Sequence, residues 1–186
     1  MATIAVFGSS EPSDGDPLYE RAQRLGHRLA KAGFGVITGG YGGVMEAASR
    51  GAYEAGGKSI GVVSTIFSHR DPNPYLTQVV DSGDLFERTR ELIDRAAGFV
   101  VVDGRAGTLS ELSFLWALER AGSLGTRPVV VLGDYWRPLI RVAEEQDYLE
   151  AAQLAATTIV ATEAEAVERL SEALWDDAHG RDEREH

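Results

Sequence analysis

The chain has 186 residues, 44% hydrophobic and 25% charged, the balance of an ordinary globule of one domain. With 18 basic against 29 acidic side chains it carries −11 at pH 7, a surface that repels nucleic acid and anionic lipid unless a local basic patch overrides the field. It has no cysteine, which excludes disulfides, thiolate metal sites and cysteine nucleophiles, and no apolar run approaches the roughly 18 residues of a membrane-spanning helix.

The chain opens MATIAVF, without a basic leader region, and runs directly into a strand at Ile4–Phe7; this fits a cytoplasmic protein rather than a secreted one. Tyr19, Ala22, Leu25, Leu29 and Ala30 then recur at helical spacing, with Gly33 as the stop. Phe34–Thr38 reads as the second strand, a glycine-rich turn follows, and a small-residue helix runs from about Val44 to Ala55. Ser59–Val63 is the third strand. The stretch Ser64–Asp84, with Pro72 and Pro74, reads as a long excursion with a short strand near Gln78–Val80. A helix at Leu85–Ala96, a strand at Phe99–Val102 and a largely apolar helix at about Thr108–Ala121 come next. Val129–Leu132, Trp136–Glu145, Thr158–Ala161 and Glu163–Leu174 read as strand, helix, edge strand and final helix. From Asp176 to His186 the chain holds five acids and two arginines, which reads as a solvated tail without fixed structure. Apolar strands without period-2 alternation, each followed by a helix, predict one doubly wound, mainly parallel α/β sheet over residues 1–175.

Ligands of such sheets sit beyond the carboxyl ends of the strands. Three predicted strand ends carry suitable loops: Gly8-Ser9-Ser10, the TGGYGG run from Thr38 to Gly43, and DGRAGTLSE from Asp103 to Glu111. Glycines let backbone amides approach an anion, and a helix start favours it, so a phosphate is the natural ligand. A turn needs glycine for positive φ whether or not it binds anything, but three such turns at one sheet edge point to a site. Neither a G-x-G-x-x-G fingerprint nor a P-loop is present. Thr108 and Glu111 have the spacing of a helix capping box, which explains the pair without catalysis; a carboxylate beside an anion site explains it with catalysis. Arg88 admits two readings as well, a solvated arginine paired with Glu87 or Glu91, or a cation serving the site. His27 reads as a surface residue, and no spacing indicates a metal site. The helix bearing Phe114, Leu115, Trp116 and Leu118 is apolar nearly all round, which calls for burial on two sides, in the core or against a second copy through Leu92, Ile93, Leu115 and Trp116.

GRAGTLSE resembles the P-G-G-x-G-T-x-x-E signature of the Lonely Guy phosphoribohydrolases, long misnamed lysine decarboxylases. The segment 38–63 is similar to their G-G-x-x-G-x-M region and following strand, and the segment 8–33 to their opening loop and helix. The resemblance spans residues 3–133. It implies a Rossmann-like fold, a homodimer, and hydrolysis of the N-glycosidic bond of a nucleoside 5′-monophosphate such as AMP to free base and ribose 5-phosphate, without a cofactor. It implies Arg88 and Glu111 as catalytic residues. It places the nucleotide against Gly8, Ser9, Ser10, Gly40, Gly42, Gly43, Met45, Gly104, Arg105, Gly107 and Thr108. Asp103, Arg105 and Thr89 depart from the family's proline, glycine and lysine. Those departures, and the carriers of the molybdenum cofactor and nucleotide sensors within the wider superfamily, leave a non-catalytic carrier or sensor as the alternative. A pyridoxal phosphate decarboxylase is set aside, because Lys31 and Lys58 are the only lysines and both sit at element ends.

Overall fold

The structure, a computed structural model, describes residues 1–67 and 69–182, with side chains to residue 175. Seven strands form one all-parallel sheet in the order β4-β3-β2-β1-β5-β6-β7. They are β1 Thr3–Phe7, β2 Gly35–Thr38, β3 Ser59–Ser64, β4 Gln78–Ser82, β5 Gly98–Val101, β6 Val129–Leu132 and β7 Thr157–Val160. The α/β, doubly wound sheet expected from the sequence is the observed architecture.

Parallel strands need crossovers, and these are the helices α1 Pro17–Lys31, α2 Val44–Glu54, α3 Leu85–Asp94, α4 Ala106–Arg120, α5 Arg137–Glu145, α6 Ala151–Ala155 and α7 Glu163–Asp182. Both sheet faces are covered, which is why the strands lack alternation. Ala5 and Phe7 of β1 point into one core with Leu92 of α3, Leu112 and Leu115 of α4 and Ile140 of α5. Ile4 and Val6 point into the other, with Tyr19 and Leu25 of α1, Ala47 and Ala48 of α2, and Leu170 of α7. The chain winds outward from β1 to β4, and α3 then carries it back to β5 beside β1. The strand order therefore reverses between β1 and β5, and a crevice opens above their carboxyl ends.

Five points of the expected layout need correction. The helix α4 begins at Ala106, not at Thr108: Arg105 is its N-cap in extended conformation, and Gly107 and Thr108 fall in the first turn. The strand near Gln78–Val80 is a full edge strand to Ser82, held by five residues of register with β3. Of the two readings of Leu92, Ile93, Leu115 and Trp116, the core holds and the subunit interface is corrected, since all four are buried within the single chain. The short helix α6, not anticipated, explains Trp116: its indole donates to Thr157 Oγ1 at 3.0 Å, and the Gln153 amide donates to the Trp116 carbonyl at 2.8 Å. Finally, α7 runs to Asp182 rather than ending at Leu174; the side chains of the acidic stretch from residue 176, and residues 183–186 altogether, lie outside the described residues.

Candidate active site

The crevice at the β1/β5 switch point is a cleft of about 340 Å³. Gly8, Ser9 and Ser10 after β1 form one wall and Arg105, Gly107, Thr108 and Glu111 at the start of α4 another. Met45 of α2, Arg88 of α3, and the excursion residues Phe67 and Arg70 complete it.

The loops are stitched together before any side chain is considered. Ser9 N–H donates to the Asp103 carbonyl at 3.0 Å, tying the β1 loop to the β5 end, and Val44 N–H donates to the Ser9 carbonyl at 2.8 Å, tying it to α2. Gly43, at φ 74°, lies so close under Ser9 and Ser10 that a Cβ would overlap their backbone. Gly40 packs against Gly61 and Val63, and Gly104 against the Thr108 side chain. Gly40, Gly43 and Gly104 are thus required small by the packing of the loops themselves, whereas a Cβ at Gly42 would meet nothing closer than 3.9 Å.

Arg88 is only 7% exposed although α3 is an outer helix. It makes no pair with its helical neighbours, since Glu87 accepts from Gly83 N–H and Glu91 pairs with Arg95, so the solvated-arginine reading is overturned. Its Nε donates to the Val62 carbonyl at 2.9 Å and its Nη2 to the Gly39 carbonyl at 2.8 Å, with Met45 Sδ 3.8 Å away. The guanidinium also lies 5.6 Å from the ring centres of Tyr41 and of Phe67. Nη1 has no hydrogen-bond partner among the described residues. Gly39, part of the TGGYGG run but not among the residues expected against the nucleotide, has a specific duty: any side chain there would overlap Nη2. The charge is thus held in fixed orientation by two carbonyls and an aromatic wall, not by a salt bridge.

Glu111 is half-buried on the opposite wall, and no hydrogen bond or ion pair engages its carboxylate among the described residues. Burial pushes its pKa up to about 7, with the charge of Arg88 opposing. Burial pushes Arg88 the other way, with Glu111 and Tyr41 opposing. Because α4 starts at Arg105, Thr108 is the third helical residue and Glu111 the sixth, and the capping-box explanation of the pair fails. What remains is an acid near neutrality that no fold-stabilising contact accounts for, in a cleft with a cation.

The excursion contributes more than its sequence promised. Tyr41 Oη accepts from Ser64 N–H at 2.9 Å and donates to the Ser64 carbonyl at 3.1 Å. Asn73, buried, donates from its backbone to the Gly40 carbonyl at 2.8 Å and from Nδ2 to the Tyr41 carbonyl at 3.2 Å. These bonds hold Tyr41 edge-on to Phe67, with ring centres 5.6 Å apart. Arg70 stands by the Phe67 ring at 5.7 Å. An aromatic followed by a cation in a Pro-bounded excursion was the available signal for this roof. Counting charges, three arginines face two glutamates across the cleft, so a local positive excess sits in a strongly acidic molecule. Among the described residues no group of His, Asp or Glu side chains is arranged to hold a metal ion, and His27 is exposed.

Residues 1–167 match the model of the SLOG cluster4 family. The chain is similar to the cytokinin riboside 5′-monophosphate phosphoribohydrolase of Mycobacterium tuberculosis, 30% identical over 138 residues that make up 72% of this chain and 71% of the relative. It is 32% identical over 136 residues to the phosphoribohydrolase of the same description from Mycobacterium marinum, again 72% of this chain and 71% of the other. Among solved structures, the molybdenum cofactor binding protein of Rippkaea orientalis has the same fold, with a TM-score of 0.74 over 93% of this chain and 97% of that one at 24% identity. The match over 167 residues and the mycobacterial relatives agree with the two glycine motifs: this chain belongs to the SLOG cluster4 family, in the Lonely Guy group of proteins.

Proposed function

We propose that this protein is a nucleoside 5′-monophosphate phosphoribohydrolase, which adds water across the N-glycosidic bond of an AMP-like nucleotide and releases the free base and ribose 5-phosphate. The observation that carries the reading is the pairing, in one cleft, of a carboxyl pushed up to about pH 7 with the fixed guanidinium of Arg88, whose charge acts on it. Cleavage of this bond develops positive charge on the ribose, and a carboxylate beside it stabilises that charge or takes a proton from the attacking water. The base leaves with the bonding electrons and is protonated as it departs; the sugar carbon takes the hydroxyl of water. Arg88 supplies the complementary charge, oriented by the carbonyls of Val62 and Gly39. Three arginines at the cleft suit a phosphorylated ligand, and the relatives described as phosphoribohydrolases or as nucleotide 5′-monophosphate nucleosidases support the class of reaction. We further propose that it acts as a homodimer, with the exposed Phe86 of α3 and Phe114 of α4 at the interface.

Incubation with a panel of nucleoside monophosphates, followed by chromatography of free base, tests the activity. Glu111→Gln is expected to keep the fold and lower turnover by roughly 10²- to 10⁴-fold, the range for a positioned acid–base group. Arg88→Ala is expected to lose both binding and turnover. A wild type that binds nucleotide yet releases no base from any of the panel overturns the enzyme reading and favours a carrier or sensor.

A further inference from the structure

Arg105 occupies a place where the Lonely Guy motif that this loop resembles has glycine. Its Nη2 lies 2.7 Å from Glu11 Oε2, and both residues line the cleft, one from each of the loops that follow β5 and β1. The pair spans the mouth of the site from wall to wall. Both side chains are more than half exposed.

We infer that Arg105 is a specificity-determining residue for the phosphate of the ligand, and that Glu11 is a placeholder that the phosphate displaces. This rests on the reading that the cleft takes a nucleoside monophosphate. As the N-cap of α4, Arg105 stands directly before the amides of Ala106, Gly107 and Thr108, which have no intrahelical acceptor; Leu109 N–H is the first to be taken up, by the Arg105 carbonyl at 2.9 Å. A dianion seated on those amides meets the Arg105 guanidinium as its nearest mobile cation. Arg88 is spoken for at Nε and Nη2 by backbone carbonyls, so it cannot swing to the same place.

The exchange runs in the right direction. An exposed carboxylate–guanidinium pair with one close contact is weak, because water screens it and two long side chains must be immobilised. A phosphate dianion carries twice the charge and accepts both arms of the guanidinium fork while the helix amides hold its other oxygens. The loops need no rearrangement, since Ser9 N–H already fixes the Glu11 loop to the Asp103 carbonyl and Glu11 N–H is turned back onto Ser9 Oγ at 3.2 Å. Until the ligand arrives, the pair keeps the mouth neutral, so singly charged anions gain little by entering.

The test is calorimetric titration with AMP, ribose 5-phosphate and adenosine, on wild type, Arg105→Gly, Arg105→Lys, Glu11→Gln and the double variant Glu11→Gln/Arg105→Gly. Glycine is a good N-cap, so the fold is expected to persist, and melting temperature checks it. Arg105→Gly is expected to weaken AMP and ribose 5-phosphate by roughly tenfold, the equivalent of about one charge-assisted hydrogen bond at an exposed site, and to leave adenosine where it is. Lysine restores part of the loss. Glu11→Gln tightens the phosphorylated ligands by a few-fold, the scale of one exposed ion pair, and this gain vanishes in the double variant. Glu20→Gln removes a charge from α1 outside the cleft and is expected to change nothing. Equal AMP affinity in wild type and Arg105→Gly, an equal loss for adenosine, or a Glu11→Gln gain that survives without Arg105 each overturns the inference and leaves the phosphoribohydrolase reading intact. A wild type that binds neither AMP nor ribose 5-phosphate overturns both.

Discussion

Glu111 is the residue at which stability and chemistry pull in opposite directions. Its carboxyl titrates near pH 7 in the folded protein, against the ordinary value of 4.5. Between those two pH values the folded chain holds a proton that the unfolded chain has released. Unfolding therefore becomes easier as pH rises from about 4.5 to 7, and the penalty is fully present above 7. Over that interval the loss amounts to about 3 kcal/mol at most. Glu111→Gln removes the titration, so the variant is expected to match wild type within about 1 kcal/mol at pH 5 and to be the more stable protein at pH 8, by up to about 3 kcal/mol. Thermal melts of both proteins at the two pH values check this, and the difference between them cancels every other titrating group. Parallel melting curves would mean that Glu111 ionises in the ordinary range. Because the carboxylate is the form that faces the developing sugar cation, turnover is expected to climb through pH 7 and to fall about tenfold for each unit below it.

At the scale of elements, apolar runs and helical spacing found every strand and all but one helix, because the central strands are buried on both faces and most helices carry a buried stripe. The helix α6 escaped because five residues hold too little pattern; what fixes it is tertiary, the Gln153–Trp116 contact and the cap at Glu150, whose N–H donates to Gln153 Oε1 at 2.8 Å. The glycine loops were readable as loops, but not which glycines the packing itself requires. That distinction depends on what packs behind each one, as Gly43 under Ser9 and Gly104 under Thr108 show. Arg88 and Glu111 were found through the motifs, whereas Tyr41, Phe67 and Arg70 depend on how the excursion folds back over the sheet. The packing of α1 on α2 offers a test at this scale. Gly51 of α2 sits against the Gln23 carbonyl of α1, and a Cβ there would overlap backbone atoms that no rotamer change can move. Helix propensity alone favours Gly51→Ala by about 1 kcal/mol. The backbone overlap is expected to win and to make the variant less stable by about 1–3 kcal/mol, since the two helices must part. Urea unfolding of Gly51→Ala decides between the two, and a stabilised variant would show that the helices part at little cost.

The cleft holds three arginines against two glutamates within a molecule of net charge −11, so a locally positive site sits inside a negative overall field. A field of that sign slows the approach of any nucleotide and leaves the short-range arginines to capture it, so raising salt is expected to help encounter while weakening the bound state. The second large-scale feature is apolar. Phe86 is 76% exposed and Phe114 47% exposed, on α3 and α4, which lie on the same face of the sheet and both reach the cleft. The neighbouring Leu85 is 48% exposed. Burying two phenylalanines and a leucine gives a second copy a reason to dock there, at roughly 1.5–3 kcal/mol for each side chain fully covered. The expected interface thus lies on the outer surface of the two helices, not on their inward residues Leu92 and Trp116, which the sheet and α6 already cover. Light scattering at micromolar concentration is expected to give twice the chain mass for wild type. Phe86→Asp combined with Phe114→Asp is expected to give the single-chain mass and a still cooperative melt, because neither side chain belongs to the intramolecular core, with a melting temperature that no longer depends on protein concentration. A wild type that scatters as a single chain, or a dimer that survives both substitutions, would place these phenylalanines outside any interface between copies.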